Sequence, residues 1–569
     1  MTGSDARTLA HQLAARDERA LAELLDARHV SPTASWNDAF DAAEQLLDPA
    51  SLARAIADLT AAEAAALAQA IDGADVPAGP ARDALISRAL LADDGAPWEP
   101  VATAFRAAVP IAHDPAPEPA SAPDAAAEAE RAFTASASLA DVLHAALTSP
   151  LGRIGAGTLG AVDRRRLIET GAVSDAATAD DLVAIADRTG LLAVTDRAWL
   201  VTARGTAWLH SSTIDRWSAV AAALVDSLPP ALRRGDGWLP LSEWPGAHPF
   251  DAAWPERAAA LAALLQRWAL VDGTGAVTPW AQPAATGGAF DADALAALLP
   301  PEVDRVYLQN DLTAIAPGSL APHLDMRLRS MARRESRAQA SSYRFTAETL
   351  ADALTAGETA DSLRAFLLEL SLTGLPQPLA YEIERSASRH GALQVGPDAQ
   401  GRTHVISTDE SLLRTVAVDQ ALRPLGLVAD GEALLTRASA DTAFWMIADA
   451  RYPVVAVDAD GNRRALDRHR LAPNPEPAPA PLERYRDLVT RLRATRSEDA
   501  DAAWLERELE QAVRARATIV VAVRLPDGAE REFTIEATGL GGGRLRGRDR
   551  AVDVERTLPV SSITRVSPA

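Results

Sequence analysis

The sequence predicts a multidomain α+β protein, and three observations carry that expectation. The chain has 569 residues, 48% of them hydrophobic, which is more than one core can organise. Its apolar residues change spacing along the chain, from a helical period near the start to strand-like alternation near the end. Two proline-rich stretches, residues 115–127 and 473–481, interrupt the pattern as linkers do.

Residues 1–112 read as an all-helical domain. Leu9, Leu13, Leu21, Leu24 and Leu25 open an apolar stripe, and Leu46, Leu47, Leu52, Ile56 and Leu59 continue it. Thr60-Ala61-Ala62-Glu63 has the spacing of a capping box, in which hydroxyl and carboxylate each take a free backbone N–H. A Pro/Ala-rich linker is expected over 113–132.

Residues 133–290 hold a weak internal repeat. The first copy is a helix over 177–189, then Leu191-Leu192-Ala193-Val194-Thr195, a turn at Asp196, and Trp199-Leu200-Val201-Thr202. The second is a helix over 255–268, then Leu270-Val271, an Asp272-Gly273-Thr274-Gly275 turn, and Ala276-Val277-Thr278. A helix followed at once by a tight hairpin is the back half of a winged helix, so tandem winged-helix-like units are expected. Neither helix is basic, and Ala179-Asp180-Asp181-Leu182 is acidic. That favours structural packing over entry into a DNA groove.

The central module is expected over 291–400. Val303 to Gly318 reads as short strands around Gln309-Asn310-Asp311. An Arg-rich helix follows, with Leu324, Leu328 and Met331 on its apolar stripe and Arg327, Arg333, Arg334 and Arg337 off it. Tyr343-Arg344-Phe345 alternates like a strand. Thr346 and Thr359 are placed to cap two further helices, the second carrying Leu363, Phe366, Leu367 and Leu370. A third helix runs over 379–389.

This order resembles the N-terminal region of XPB-type helicases and the bacterial helicase-associated proteins that share the module. The residues that carry the resemblance are Leu308-Gln309-Asn310-Asp311-Leu312-Thr313, Ala316-Pro317-Gly318, Ser342-Tyr343-Arg344-Phe345-Thr346, Ala356-Gly357 and Leu375-Pro376-Gln377. It implies a fold module and a setting in nucleic-acid processing, and supplies no activity by itself.

Residues 401–472 read as a small α/β unit and 473–482 as a Pro-rich linker. Residues 483–569 open with helices over 482–495 and 502–516. Five short strand patterns with Gly and Asp turns follow, which predicts a small SH3-like β-barrel. This end resembles WYL-type domains through Val521-Ala522-Val523-Arg524-Leu525-Pro526-Asp527-Gly528, Gly543-Arg544-Leu545-Arg546-Gly547-Arg548-Asp549 and Arg556-Thr557-Leu558-Pro559-Val560. The Trp-Tyr-Leu tripeptide that names the family is absent.

Composition excludes several chemistries. No cysteine occurs, so disulfides, thiolate nucleophiles and Cys-type zinc sites are ruled out. The ten histidines are scattered, with no pair at ligand spacing. No lysine occurs either; all 56 basic residues are arginine. A phosphate-binding loop of the Gly-x-x-x-x-Gly-Lys-Ser/Thr type is therefore impossible, since its Lys is what reaches the terminal phosphates. Asp409-Glu410 is expected to start a helix, and Gly539-Leu540-Gly541-Gly542-Gly543 to form a turn. No catalytic residue, metal site or cofactor is expected, and the chain is expected not to be an enzyme. No apolar run reaches membrane-spanning length, and Met1 to Arg7 lacks the pattern of an export signal, so a cytoplasmic location is expected.

The formal net charge is −22. Residues 483–569 carry 16 Arg against 15 acidic residues, while the rest of the chain carries 40 against 63. Contact with phosphates is therefore expected near the C-terminus or at local arginine clusters. Two clusters qualify. One is Arg327, Arg333, Arg334, Arg337 and Arg344. The other is Arg544, Arg546, Arg548 and Arg550, which a strand would place on one side. The resulting expectation is a non-catalytic helicase-associated accessory protein. Its partner would be DNA, or a separate helicase or repair protein. The alternative is a protein–protein scaffold or transcriptional regulator with no nucleic-acid contact.

Overall fold

The computed structural model describes residues 2–112, 122–155, 157–336, 340–398, 400–464, 466, 470–473, 479–494, 498–525, 529–550, 552 and 554–568. Residues 113–121 and 474–478 of the two expected linkers lie outside that set, as does Arg337. The architecture is mixed α/β, with several separate sheets and cores.

The N-terminal part is helical from Thr2–Ala15 to Glu99–Ala107. Asp17, Asp38, Asp48 and Thr60 accept backbone N–H groups at helix starts, and Thr60 and Glu63 form the expected capping box. Leu9, Leu13, Leu24, Leu25 and Leu46 fill the core. A distant segment joins them. The helix Arg486–Ala494 and the residue before it bring Tyr485, Leu488, Val489 and Leu492 into the same core. Arg484 pairs with Asp26 at 2.6 Å, and the Tyr485 hydroxyl donates to the Val30 carbonyl at 2.7 Å. An amphipathic stripe tells that a helix is covered, not which core covers it. The expected start of the C-terminal unit at 483 therefore falls on a segment packed elsewhere.

One helix-ending turn recurs along the chain, and three of its copies bear on the expected repeat. Helices Pro80–Ser87, Ala176–Arg188 and Trp254–Arg267 are each followed by a left-handed residue, Ala89, Gly190 or Ala269, with φ of 56°, 71° and 54°. The next N–H turns back: Leu90 donates to Leu85, Leu191 to Ala186 and Leu270 to Leu265, at 2.9, 2.8 and 2.9 Å. This Schellman pattern satisfies the last helical carbonyls and aims the chain into a hairpin. Leu91 then bridges Pro97, Leu192 pairs with Val201, and Val271 bridges Val277. The repeat expected twice thus occurs a third time, in the N-terminal part.

Residues 125–299 share one core. The helix Ala125–Thr148 leads into strand Leu151–Ile154, helices Ala161–Glu169 and Ala176–Arg188, and the hairpin Leu192–Thr195/Ala198–Val201. Thr158–Leu159, Leu151–Ile154, Ala198–Val201 and Leu192–Thr195 form one antiparallel sheet in that order. In the second copy, Trp217 and Trp268 each donate an indole N–H to the other's carbonyl at 3.0 Å. A buried indole needs such a partner to offset its lost water.

The central module is a four-stranded antiparallel sheet in the order Arg333–Ser336, Ser341–Arg344, Thr313–Ala316, Tyr307–Leu308. Thr346 and Thr359 cap helices Ala347–Thr355 and Ala360–Leu370, each in a capping box, and Gln377–Arg389 follows. The Arg-rich helix is shorter than expected. It ends at Arg329, and Arg333–Ser336 is a strand. The error has a physical source: period two and period 3.6 agree over so short a stretch, and the pairing with Ser341–Arg344 decides.

Next comes a six-stranded sheet in the order Val428–Asp430, Ala433–Thr436, Thr403–Ile406, Leu393–Pro397, Val454–Val457, Arg463–Arg464. The division expected at 400 falls inside its hairpin Leu393–Pro397/Thr403–Ile406. Asp409 caps helix Glu410–Val418 by accepting from the N–H groups of Ser411 and Leu412.

The last unit is helix Glu498–Ala515 and five antiparallel strands in the order Val554–Pro559, Arg544–Asp549, Glu530–Gly541, Thr518–Arg524, Ile563–Pro568. The strand count meets the expectation, but the closed SH3-like barrel does not form. Among the described residues, the outer strands Val554–Pro559 and Ile563–Pro568 share no ladder. Leu505, Leu509 and Ala512 of the helix cover the inner face, against Val521, Ile535 and Leu545. A face sealed by a helix does not need closure to stay dry. Among the described residues no helix is long and apolar enough to cross a membrane.

Candidate nucleic-acid interface

The central arginines do not form one surface. Arg327 pairs with Glu358 at 3.1 Å and lies over the Phe366 ring, 4.3 Å from its centroid. Arg344 pairs with Glu335 at 2.6 Å. Strand alternation sends Arg333 and Arg334 to opposite sides. Arg333 keeps 72% of its side chain exposed, with Glu335 4.0 Å away. Arg334 turns inward.

Its partner is Asp141, on the helix Ala125–Thr148, which also takes Arg329 at 2.8 Å. The three side chains are only 17%, 3% and 10% exposed for Arg334, Asp141 and Arg329. Burial pulls the Arg334 pKa down, but Asp141 and Asp325 outweigh it and leave it raised. The Tyr343 hydroxyl donates to Asp325 at 2.6 Å. Burial, with Asp325 beside it, raises the phenol well above its ordinary value. Charges taken this far from water must be paired, and here they are paired across two units of the fold. The centre of the expected cluster is thus an internal joint. Sequence reasoning missed Arg329 and Asp141. The available signal was an acidic residue, Asp141, among the apolar positions Leu139, Val142 and Leu143 of one helix.

The C-terminal arginines behave differently. Strand Arg544–Asp549 alternates strictly: Arg544, Arg546 and Arg548 are exposed, while Leu545, Gly547 and Asp549 are buried. Asp549 takes Arg556 at 2.5 Å on the inner side. Gly547 is required, since a Cβ there would stand 2.7 Å from the Glu536 carbonyl oxygen. Gly542 and Gly543, both left-handed at φ 61° and 68°, make the tight turn that delivers Arg544. Arg550 follows the strand and pairs with Glu536 at 3.1 Å. Successive outward arginines are about 6.8 Å apart by strand rise, and the guanidinium fork suits phosphate oxygens. The expected one-sided stripe is therefore present for Arg544, Arg546 and Arg548.

Comparison with known families bears on the central module. Residues 306–430 match the family described as helicase conserved C-terminal domain. The match takes in the central module and the first part of the six-stranded sheet, under a quarter of the chain, and supports a helicase-related protein. No curated protein matches the chain.

Proposed function

We propose that this protein is a helicase-related accessory factor that engages nucleic acid and has no ATP-driven motor of its own. The observation that carries the reading is the helicase-family match in a chain without a single lysine. Such a chain cannot build a phosphate loop whose Lys holds the terminal phosphates of ATP. The resemblance of the central module to the N-terminal region of XPB-type helicases supports the same reading. So does the order helix, two short strands, helix, helix, hairpin over residues 125–201, which is similar to a winged helix with one added strand. The five-stranded C-terminal unit with its leading helix fits the WYL-type resemblance. A cytoplasmic location fits a factor of this kind.

A second reading is a protein scaffold without nucleic-acid contact. The net charge of −22 favours it, as do the exposed apolar side chains Leu368, Leu372 and Tyr381 on the central module.

The test pairs two measurements on the full chain. ATP turnover is measured with and without DNA, and binding to fluorescent single-stranded, duplex and forked DNA is measured at low salt. Binding without turnover is the expected result. DNA-stimulated turnover contradicts the motor-free reading. No binding at low salt selects the scaffold.

A further inference from the structure

We infer that the outer face of the C-terminal sheet is a site for a phosphodiester backbone, worked by Arg544 and Arg546 and blind to base identity. This rests on the nucleic-acid reading above and deepens it: it names the chemistry of the ligand and the end of the stripe that holds it.

The stripe is graded by its neighbours across the ladder. Arg548 lies opposite Glu536 on one side and Glu555 on the other. Arg546 lies opposite Gly539 and Thr557, and Arg544 opposite Gly541 and Pro559. Carboxylates thus flank one end and are absent from the other. Those of the same face are mostly engaged: Glu530 with Arg524 at 4.0 Å, Glu532 with Arg565 at 2.6 Å and Glu536 with Arg550 at 3.1 Å. Among the described residues, Arg544 and Arg546 form no ion pair. They are surplus cations in a strongly acidic chain, which is the reverse of what the central arginines show.

The surroundings fit a polyanion strand rather than a single ion. Beside the two arginines, nothing stands within 4 Å of where a side chain would begin at Gly539 or Gly541. The row is therefore open along its flank, and its spacing follows a repeating anion. Unpaired bases are held by stacking on exposed aromatic rings. The sheet's ring, Phe533, shares the inner face with the buried Ile535 and is held beneath Arg531 and Arg556. The outer face thus offers charge without a stacking platform. Binding there depends on counterion release and not on sequence.

The experiment uses the full chain and fluorescence anisotropy across a salt series. Probes are a mixed-sequence DNA duplex, an A·T-only duplex and an RNA duplex matching the first. For wild type, log K falls linearly with log salt. Arg544→Ala and Arg546→Ala each reduce that slope by about one, and the pair by about two, because each removes one phosphate contact. Arg548→Ala leaves it nearly unchanged. Arg544→Lys restores most of the slope, since the charge returns. Thermal melts show each exposed-site variant folded. The three probes bind within about threefold of each other, as expected of contacts that carry no sequence information. Wild-type binding with an unchanged slope in the Arg544→Ala/Arg546→Ala pair overturns this site and leaves the nucleic-acid reading standing. A strong preference for one probe overturns the base-blind claim. Absence of wild-type binding at low salt removes the nucleic-acid reading itself.

Discussion

Arg334 and Arg546 are the same residue in the same kind of element, a short antiparallel strand that follows a turn. One is sealed against Asp141, and the other faces water with no carboxylate beside it in the ladder. The difference does not lie in local sequence, since both sit in arginine-rich stretches. It lies in what the fold brings to them. Asp141 is far away in the chain and arrives on a helix of another unit, whereas the neighbours of Arg546 are set by the hairpin that contains it. A basic cluster becomes a binding surface only when the tertiary structure leaves it unpaired. In a chain of net charge −22 that is the exception.

The comparison breaks most visibly at the joint. Asp141→Asn takes from buried Arg329 and Arg334 the carboxylate they share and leaves them Asp325 alone, 3.6 Å from Arg329. A loss of about 3 kcal/mol in unfolding free energy, the low end for breaking a buried pair, is expected from denaturant titration. A variant as stable as wild type shows the joint to be solvated.

A smaller effect tests whether burial governs the other titratable groups in the same way. Burial, with Arg463 nearby, lowers the His390 pKa to about 4, although the Leu354 backbone pulls the other way. The folded protein therefore resists protonation that the unfolded chain accepts near its ordinary 6.5. Stability from this group is complete above that value and is lost as pH falls toward 4. His390→Gln flattens that part of the stability–pH curve, which thermal melts across pH 4 to 7 read out (about the range set by the two values). An unchanged slope means the ring is wet.

Helix starts give the next step down. Asp175 accepts from Ser174, the Thr178 N–H and the Thr178 hydroxyl, which hold its pKa at about 2. Asp175→Ala removes the cap of helix Ala176–Arg188 and costs about 1 kcal/mol near neutral pH. The deficit narrows as pH drops below the ordinary carboxylate value, because the wild-type cap is then lost too. The smallest effect belongs to Arg333→Ala. That side chain is exposed and only loosely near Glu335, so stability stays within about 0.5 kcal/mol of wild type.

Much of this was legible in the sequence because it is local. The capping box at Thr60, the caps at Thr346 and Thr359, the apolar stripe of helix Ala360–Leu370, and the outward row Arg544, Arg546 and Arg548 all follow from spacing over a few residues. What stayed hidden is long-range or degenerate. The docking of Leu488 and Leu492 into the N-terminal core, the capture of Arg334 by Asp141 and the open edges of the last sheet depend on partners hundreds of positions apart or on closure. The Arg333–Ser336 strand was mistaken for helix because four residues fit either period.

The most direct measurement sets the two arginine groups side by side. Duplex DNA binding by the full chain is compared, at one low salt concentration, for wild type, Arg333→Ala/Arg344→Ala and Arg544→Ala/Arg546→Ala, with melts to show that all three are folded. Weakened binding in the C-terminal pair alone, with the central pair like wild type, is the expected result. Weakened binding in the central pair, with the C-terminal pair unaffected, contradicts the assignment of contact to Arg544 and Arg546.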